Sequence, residues 1–177
     1  KVALVTGAAR FPSTGRTIAL RLAREGAHVV VNGRDRSPDT FTELERQRDW
    51  SGLDSVKQEI EAVGVQAMAV VADVASEEQV FAMFDEVTNH FGGVDILVNN
   101  AAETPLVPFL EMDEFRWDLC MDVNVIGPFL CGREAAKRMA KNGRGGKIIN
   151  ISSRVGIVGS PTASAYAASK AALNNLT

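Results

Sequence analysis

The sequence predicts an α/β fold in which helices enclose a doubly wound parallel sheet in three layers, α/β/α. Short apolar runs alternate along the chain with segments that repeat apolar residues at helical spacing. This alternation favours a parallel sheet with helices on both faces. The 177 residues and the 46% hydrophobic content suit one domain with a packed core. We therefore predict a single domain over residues 1–177.

The predicted elements follow one another from the first residues to the last. Short continuous apolar runs are typical of buried parallel strands, whereas longer amphipathic segments are typical of helices. The strands are predicted at 2–5, 28–31, 66–71, 94–98 and 147–151, and the helices at 16–26, 53–63, 77–91, 114–141 and 163–173. In the helix 77–91 the stripe Val80, Phe81, Phe84, Val87 and Phe91 is predicted to lie in the core.

Residues 36–52 fit none of these elements. The segment is polar and charged and contains Pro38 and Trp50, so we interpret it as an insertion before the helix 53–63. A flexible surface loop, a lid and an oligomer contact all remain open as its role.

Composition excludes several classes of protein. The net charge is −3 and no basic block is present, which argues against nucleic-acid binding. No apolar run approaches the ~18 residues of a membrane span. Cys120 and Cys131 lie in one predicted helix, ~16 Å apart by helical rise and too far for a disulfide. With unpaired cysteines and two unmatched histidines, we expect a reduced, cytoplasmic setting and no metal site.

The pair Tyr166 and Lys170 carries the first chemical signal. A spacing of four places both side chains on one face of a helix. An ammonium ~4 Å from a phenol stabilises the phenolate by roughly 4 kcal/mol at an effective dielectric constant of ~20, enough to make a proton donor that works near neutrality. A surface tyrosine beside a solvated lysine is the alternative. Ser153 follows a predicted strand thirteen residues before Tyr166, where its hydroxyl could hold a carbonyl oxygen.

Six short motifs in order give the chain its resemblance to the short-chain dehydrogenase/reductase family. They are Thr6-Gly7-Ala8-Ala9, Asp73-Val74, Asn99-Asn100-Ala101-Ala102, Asn124-Val125-Ile126-Gly127, Ser152-Ser153 and Tyr166-Ala167-Ala168-Ser169-Lys170. The resemblance implies a Rossmann-type fold that continues beyond Thr177. It also implies that Ser153 holds the substrate oxygen, Tyr166 is the general acid or base, Lys170 supports Tyr166 and binds a ribose, and Asn124 holds a water.

The turn after the first strand is the predicted phosphate site of a dinucleotide. Backbone N–H groups and the start of a helix suit a pyrophosphate, and Gly7 and Gly15 are retained there. The loop is about two residues longer than usual in the family and lacks the middle glycine. Arg10 adds charge, and the hydroxyls of Ser13 and Thr14 are expected to contact phosphate instead.

Residues after the next three strands complete the predicted cofactor site. Gly33 stands where NAD-preferring relatives carry an acid, and Arg34 suits a 2′-phosphate, so NADP(H) is preferred and NAD(H) remains possible. Asp73 either accepts from the adenine amino group or caps the next turn. The remaining candidates are Val74, Asn100 and Ala101, together with Tyr166 and Lys170 from the catalytic pair.

The resemblance therefore implies an NADP(H)-dependent oxidoreductase that interconverts a carbonyl and an alcohol. Two alternatives are a non-catalytic dinucleotide-binding sensor or scaffold and a sugar-nucleotide epimerase or dehydratase. Residues 103–110 and 156–163 are expected to contact a small-molecule substrate. The long helix from Glu114 and the helix after Tyr166 resemble those that pair between subunits in the family, which implies a homodimer or homotetramer.

Pro128 lies inside the predicted helix 114–141. Because proline has no N–H, the carbonyl of Asn124 should lose its helical partner and stay free for a water. The alternative is a helix break, with the Asn124 side chain capping the second segment.

Overall fold

A computed structural model describes residues 1–177 and confirms the predicted α/β architecture. Five parallel strands form one sheet in the order β3-β2-β1-β4-β5. The strands are β1 Val2–Val5, β2 His28–Gly33, β3 Ala67–Val71, β4 Ile96–Asn99 and β5 Lys147–Asn150. Helices cover both faces of the central strands, which gives the doubly wound, three-layer arrangement. The edge strand β5 differs from the buried strand predicted there, because Ile148 is 37% and Ile149 is 44% exposed.

The central strand β1 is buried on both faces because its side chains alternate between two cores. Leu4 pairs with Val30 and Leu97 in the sheet and packs into one core with Phe84. Ala3 and Val5 point to the other face, where they pack with Ile60. A continuous apolar strand is what a sheet covered on both sides requires.

The helices divide between the two faces. Helices α1 (Thr14–Arg24) and α3 (Leu53–Glu61) pack on one side, and α4 (Glu77–Phe91) packs on the other. Ser76 caps the start of α4, and Gly92 ends it in the left-handed conformation.

The prediction that the whole α4 stripe lies in the core is wrong for one residue. Val80, Phe84 and Val87 are buried as predicted, but Phe81 is 54% exposed. Its ring lies 5.5 Å from the guanidinium carbon of Arg138 and covers that side chain instead of the sheet.

The long helix predicted at 114–141 exists, but a widened turn interrupts it. Helix α5 spans Glu114–Met121, a π-helical turn spans Asp122–Ile126, and α6 spans Gly127–Asn142. The N–H of Gly127 bonds the carbonyl of Asp122, five residues back. Pro128 follows directly and supplies no N–H, so the hydrogen-bond ladder changes register where the proline enters.

Residues 36–52 fold into short elements that the sequence did not predict. A 3₁₀ turn spans Pro38–Thr40, and the four-residue helix α2 spans Glu43–Arg46. Thr42 and Glu45 form a reciprocal capping box at the start of α2. Trp50 is buried and Glu45 is fully buried, so the segment packs on the domain and is not a free surface loop.

The strand order places a topological switch between β1 and β4. Chain connections run from β1 toward β2 and β3 on one side, and toward β4 and β5 on the other. In open parallel sheets, ligands bind outside the carboxyl ends of the strands at such a point. The final helix is α7 (Ser164–Leu176), and Lys170 on this helix bonds the carbonyl of Ile151, directly after the end of β5.

Gly7 offers a direct test of how tightly the switch point is packed. A Cβ at Gly7 would lie 2.5 Å from the Cα of Ala101, and its φ is +69°. At Gly26 φ is +83° and a Cβ would meet nothing within 4 Å. Gly26→Ala should therefore cost only the strain of a left-handed alanine, about 1 kcal/mol.

Gly7→Ala carries the same strain and a backbone clash in addition, so we expect it to cost at least about 2 kcal/mol more of unfolding free energy than Gly26→Ala. Urea unfolding of both variants measures the difference. Equal losses would contradict the close approach of Gly7 to Ala101.

Candidate functional site

A cleft of about 770 Å³ opens at the carboxyl edge of the sheet. The loops after β1, β2, β3 and β4 line it. It gathers every cofactor-site residue predicted in those loops: Gly7, Arg10, Ser13, Thr14, Gly15, Arg34, Asp73, Val74, Asn100 and Ala101. Asn124, Ser153, Tyr166 and Lys170 do not line this cleft.

Hydrogen bonds between the ends of β1 and β4 hold the middle of the cleft. The Thr6 hydroxyl accepts the N–H groups of Asn100 at 3.0 Å and Ala101 at 3.1 Å. In return, Asn100 Nδ2 donates to the carbonyls of Thr6 at 2.8 Å and Gly7 at 3.0 Å. The Asn99 amide similarly donates to Asn150 Oδ1 at 2.9 Å and links β4 to β5. The two asparagines thus tie neighbouring strands.

The loop after β1 has the shape of an anion cradle. Ser13 caps α1 by accepting the N–H of Arg16, which leaves its own O–H free to donate, and Thr14 is the first residue of the helix. A Cβ at Gly15 would lie 2.5 Å from Asn100 Nδ2, so only glycine lets α1 begin this close to the sheet. Bare backbone at a helix start next to the cleft fits a dinucleotide pyrophosphate.

Arg34 reaches across the cleft. Its guanidinium forms an ion pair with Glu103, the residue that follows the motif at the end of β4. The Arg34 side chain is 49% exposed, and Arg10 is also exposed at the cleft. A 2′-phosphate would have to exchange with Glu103 for Arg34.

Asp73 and Val74 hold the wall beyond β3. Asp73 Oδ1 accepts the N–H of Ala75 at 2.9 Å, so the carboxylate organises its own turn and still faces the cleft. Val74 is buried, and a Cβ at Gly127 would lie 2.8 Å from it. The turn-capping role of Asp73 is therefore present, and it does not exclude a contact with adenine.

Asn124 is fully buried at the π-helical turn and joins three elements. Its Oδ1 accepts the N–H of Glu103 at 2.8 Å, and its Nδ2 donates to the carbonyl of Glu103 and to Ser169 Oγ, both at 2.9 Å. Its side chain does not cap α6, so the capping alternative is wrong. A free Asn124 carbonyl stays a prediction.

Tyr166 and Lys170 lie on α7, one turn apart. Lys170 Nζ is 5.6 Å from the centre of the Tyr166 ring and donates to the carbonyl of Ile151 at 2.7 Å. Lys170 is only 2% exposed and no carboxylate forms an ion pair with it. Burial lowers the pKa of the Lys170 ammonium, because the charged form loses its hydration.

The loop after β5 packs against the same helix. Ser153 starts a 3₁₀ turn, Arg154–Gly156, and its Oγ accepts the N–H of Val155 at 3.4 Å. A Cβ at Gly156 would lie 2.8 Å from the carbonyl carbon of Lys170. Ser152 Oγ also bonds Asn174 Oδ1 at 2.5 Å. The loop that carries Ser153 is thus fixed on the helix that carries Tyr166 and Lys170.

Three residues of the site had no role in the sequence-based prediction. Thr6 belonged to a recognised motif, but its hydroxyl was not assigned. Glu103 was placed only in the expected substrate loop. Glu45 accepts the N–H of Phe11, in the loop after β1, at 3.0 Å. It could have been found from its capping-box spacing with Thr42, although that pattern predicts a helix start and not this contact. No group of three or more histidine, cysteine, aspartate or glutamate side chains could hold a metal.

Comparison with known proteins agrees with this geometry. A family model for short chain dehydrogenases matches residues 1–177. The 3-oxoacyl-[acyl-carrier-protein] reductase FabG of Staphylococcus aureus is 41% identical over 177 residues, which are 100% of this chain and 65% of that protein.

Solved structures agree in fold. A putative short-chain alcohol dehydrogenase from Sinorhizobium meliloti is 37% identical with a TM-score of 0.87 over 100% of this chain and 64% of its own. An NAD⁺-bound xylitol dehydrogenase is 31% identical with a TM-score of 0.86, over 100% of this chain and 62% of its own. The chain spans about two thirds of the length of these relatives. It belongs to the short-chain dehydrogenase family.

Proposed function

We propose that this chain carries the cofactor-binding and catalytic part of an NADP(H)-dependent oxidoreductase that interconverts a carbonyl and a secondary alcohol. One observation carries the proposal. The loop after β5, which carries Ser153, packs on α7, which carries Tyr166 and Lys170, and this loop follows β5 at the same carboxyl edge of the sheet at which the cleft opens. These three side chains together can hold and protonate a carbonyl oxygen.

The residues of the cleft fit a dinucleotide. The Gly7–Gly15 loop with Ser13 and Thr14 would hold the pyrophosphate, and Arg34 with Arg10 would hold a 2′-phosphate. When bound, NADPH supplies the hydride that reduces the carbonyl carbon. The NAD⁺-bound xylitol dehydrogenase supports a nicotinamide dinucleotide as the cofactor class, and the Staphylococcus aureus relative, a reductase of an oxo group, supports the reaction class.

Three side chains manage the oxygen of the substrate. Ser153 donates its hydroxyl hydrogen to the carbonyl oxygen and orients it. Tyr166 then donates a proton to that oxygen during reduction and takes it back during oxidation. The ammonium of Lys170 stabilises the resulting phenolate, and its bond to the carbonyl of Ile151 leaves two N–H groups for a ribose.

Asn124 would act on the reaction through its neighbours. It binds the backbone of Glu103 on one side and Ser169 on the other, and Ser169 Oγ donates to the carbonyl of Tyr166 at 2.8 Å. These bonds hold α7 in register with the cleft. The water that we assign to Asn124 would continue this network toward Lys170.

We propose a small-molecule carbonyl or alcohol as substrate and a homodimer or homotetramer as the assembly, in a reduced cytoplasmic setting. Phe115 is 75% exposed and Phe129 is 42% exposed along α5 and α6, which supports pairing of this helix between subunits. Both cysteines are free, which supports the reduced setting. None of the helices meets the length and hydropathy of a membrane span. Sedimentation that finds only monomer for the whole protein would contradict the assembly.

Removal of the Tyr166 hydroxyl should separate catalysis from binding. Tyr166→Phe keeps the ring and loses the proton donor, so we expect kcat to fall at least 100-fold while the dissociation constant for NADPH changes little. Lys170→Ala should lower kcat and also raise the dissociation constant for NADPH, because it removes an ammonium that is proposed to contact both the Tyr166 phenol and the ribose. Steady-state kinetics and cofactor titration measure the two effects. A Tyr166→Phe protein with near-parent kcat would end the mechanism.

Arg34 and Glu103 should set the cofactor preference in opposite directions. Arg34→Ala removes a charge-assisted bond of about 1.5–3 kcal/mol and should raise the KM for NADPH roughly 10- to 100-fold, with little effect on NADH. Glu103→Gln frees Arg34 from its ion pair and should lower the KM for NADPH. Arg21→Ala, at an arginine paired with Glu25 on the outer surface, serves as the control. Equal KM values for both cofactors in the parent protein would contradict the preference.

A further inference from the structure

The segment 36–50 contacts the loop after β1 at two backbone points. The indole N–H of Trp50 donates to the carbonyl of Ala9 at 2.9 Å, and Glu45 Oε1 accepts the N–H of Phe11 at 3.0 Å. The rings of Trp50 and Phe11 also pack with their centres 5.1 Å apart. Residues from outside the loop therefore hold its backbone on both sides of Arg10.

The Glu45 carboxylate is the centre of this contact. It is fully buried and accepts the N–H of Thr42 at 2.8 Å in addition to that of Phe11. The Arg36 guanidinium donates to both carboxylate oxygens, at 2.7 and 3.1 Å, and its side chain is 12% exposed. These hydrogen bonds, led by the one from Arg36, lower the pKa of Glu45 to about 2, so the group is a charged carboxylate at neutral pH.

The Glu45–Arg36 ion pair lies beside the loop between Gly7 and Gly15, which departs from the usual family pattern. Between Gly7 and Gly15 it lacks a middle glycine and so has less freedom to set its own path. Phe11 cannot bond its N–H within a regular element, and Glu45 supplies the missing acceptor. Arg36 neutralises the carboxylate that this arrangement brings beside the phosphate site.

We infer that residues 36–50 form a brace that sets the shape of the phosphate loop, and that Glu45 is its positioning residue. The inference rests on the proposed function, because it takes the loop between Gly7 and Gly15 as the pyrophosphate site. Arg36 lines the cleft, and its guanidinium is paired with the Glu45 carboxylate, so we assign it to the brace. The ligand whose affinity the brace controls is a dinucleotide.

Glu45→Gln tests the brace in the full-length protein, with Glu43→Gln as a matched control. Glu43 lies on the same helix but is exposed and touches only Arg46 and Gln47. We expect Glu45→Gln to raise the dissociation constants of NADPH and NADH about tenfold by calorimetry, with kcat changed less than twofold. Amide exchange at Phe11, measured without cofactor, should accelerate in the same variant. Glu43→Gln should match the parent in all of these measurements.

Trp50→Phe provides a second variant, because loss of a buried carboxylate can prevent folding. It keeps an aromatic ring against Phe11 and removes the indole N–H that donates to the carbonyl of Ala9. We expect it to raise both dissociation constants at least threefold.

The outcomes distinguish the brace from the proposed function. If Glu45→Gln binds dinucleotides as tightly as the parent protein, the brace is overturned, even if the free energy of unfolding falls. If Glu45→Gln does not fold, parent-like affinity in Trp50→Phe overturns it. A parent protein that binds neither dinucleotide would overturn the proposed function and, with it, the assignment of the brace to cofactor binding.

Discussion

The hydrogen bonds between Thr6 and Asn100 hold the two strands between which the chain connections change direction. Thr6 accepts two N–H groups from the β4 end, and Asn100 returns two bonds to the β1 end. Strand ends at a switch point have no further ladder partners, so side chains must satisfy their backbone groups. This exchange fixes the floor of the cleft, and Gly7 and Gly15 then allow the phosphate loop and α1 to lie directly on it.

The two ends of the site are held in different ways. Beside the loop proposed to bind phosphate, Arg36 neutralises the buried carboxylate of Glu45. At the proposed catalytic end, Lys170 is buried without an anionic partner, which costs folding free energy while the lysine is charged. Since its folded pKa lies below the unfolded value, that cost is present at neutral pH and is relieved as pH rises between the folded value and 10.5. A position that costs stability and yet faces a tyrosine fits a functional lysine.

The sequence predicted the fold well because strand and helix periodicity is a local property. It also predicted the lining of the cleft, since residues that end parallel strands meet at one edge. The missed features are long-range. Glu45 reaches Phe11 from 34 positions away, and Glu103 reaches Arg34 from 69. Neither contact produces a periodic pattern in the sequence from which it could be predicted. Phe81 fits the apolar stripe of α4 but covers Arg138. Periodicity indicates which face of a helix is apolar, and it does not indicate which residues pack against the margin of that face.

The central claim is that the cleft and the Ser153–Tyr166–Lys170 group serve one reaction on one bound dinucleotide. Deuterium transfer tests it most directly. NADPH carrying deuterium at the reactive nicotinamide carbon would be incubated with the full-length protein and a panel of ketones, and the products would be examined by NMR. We expect deuterium on the carbinol carbon of a product alcohol, with one stereochemistry at the cofactor. Tight NADPH binding without deuterium transfer to any carbonyl in the panel would contradict it.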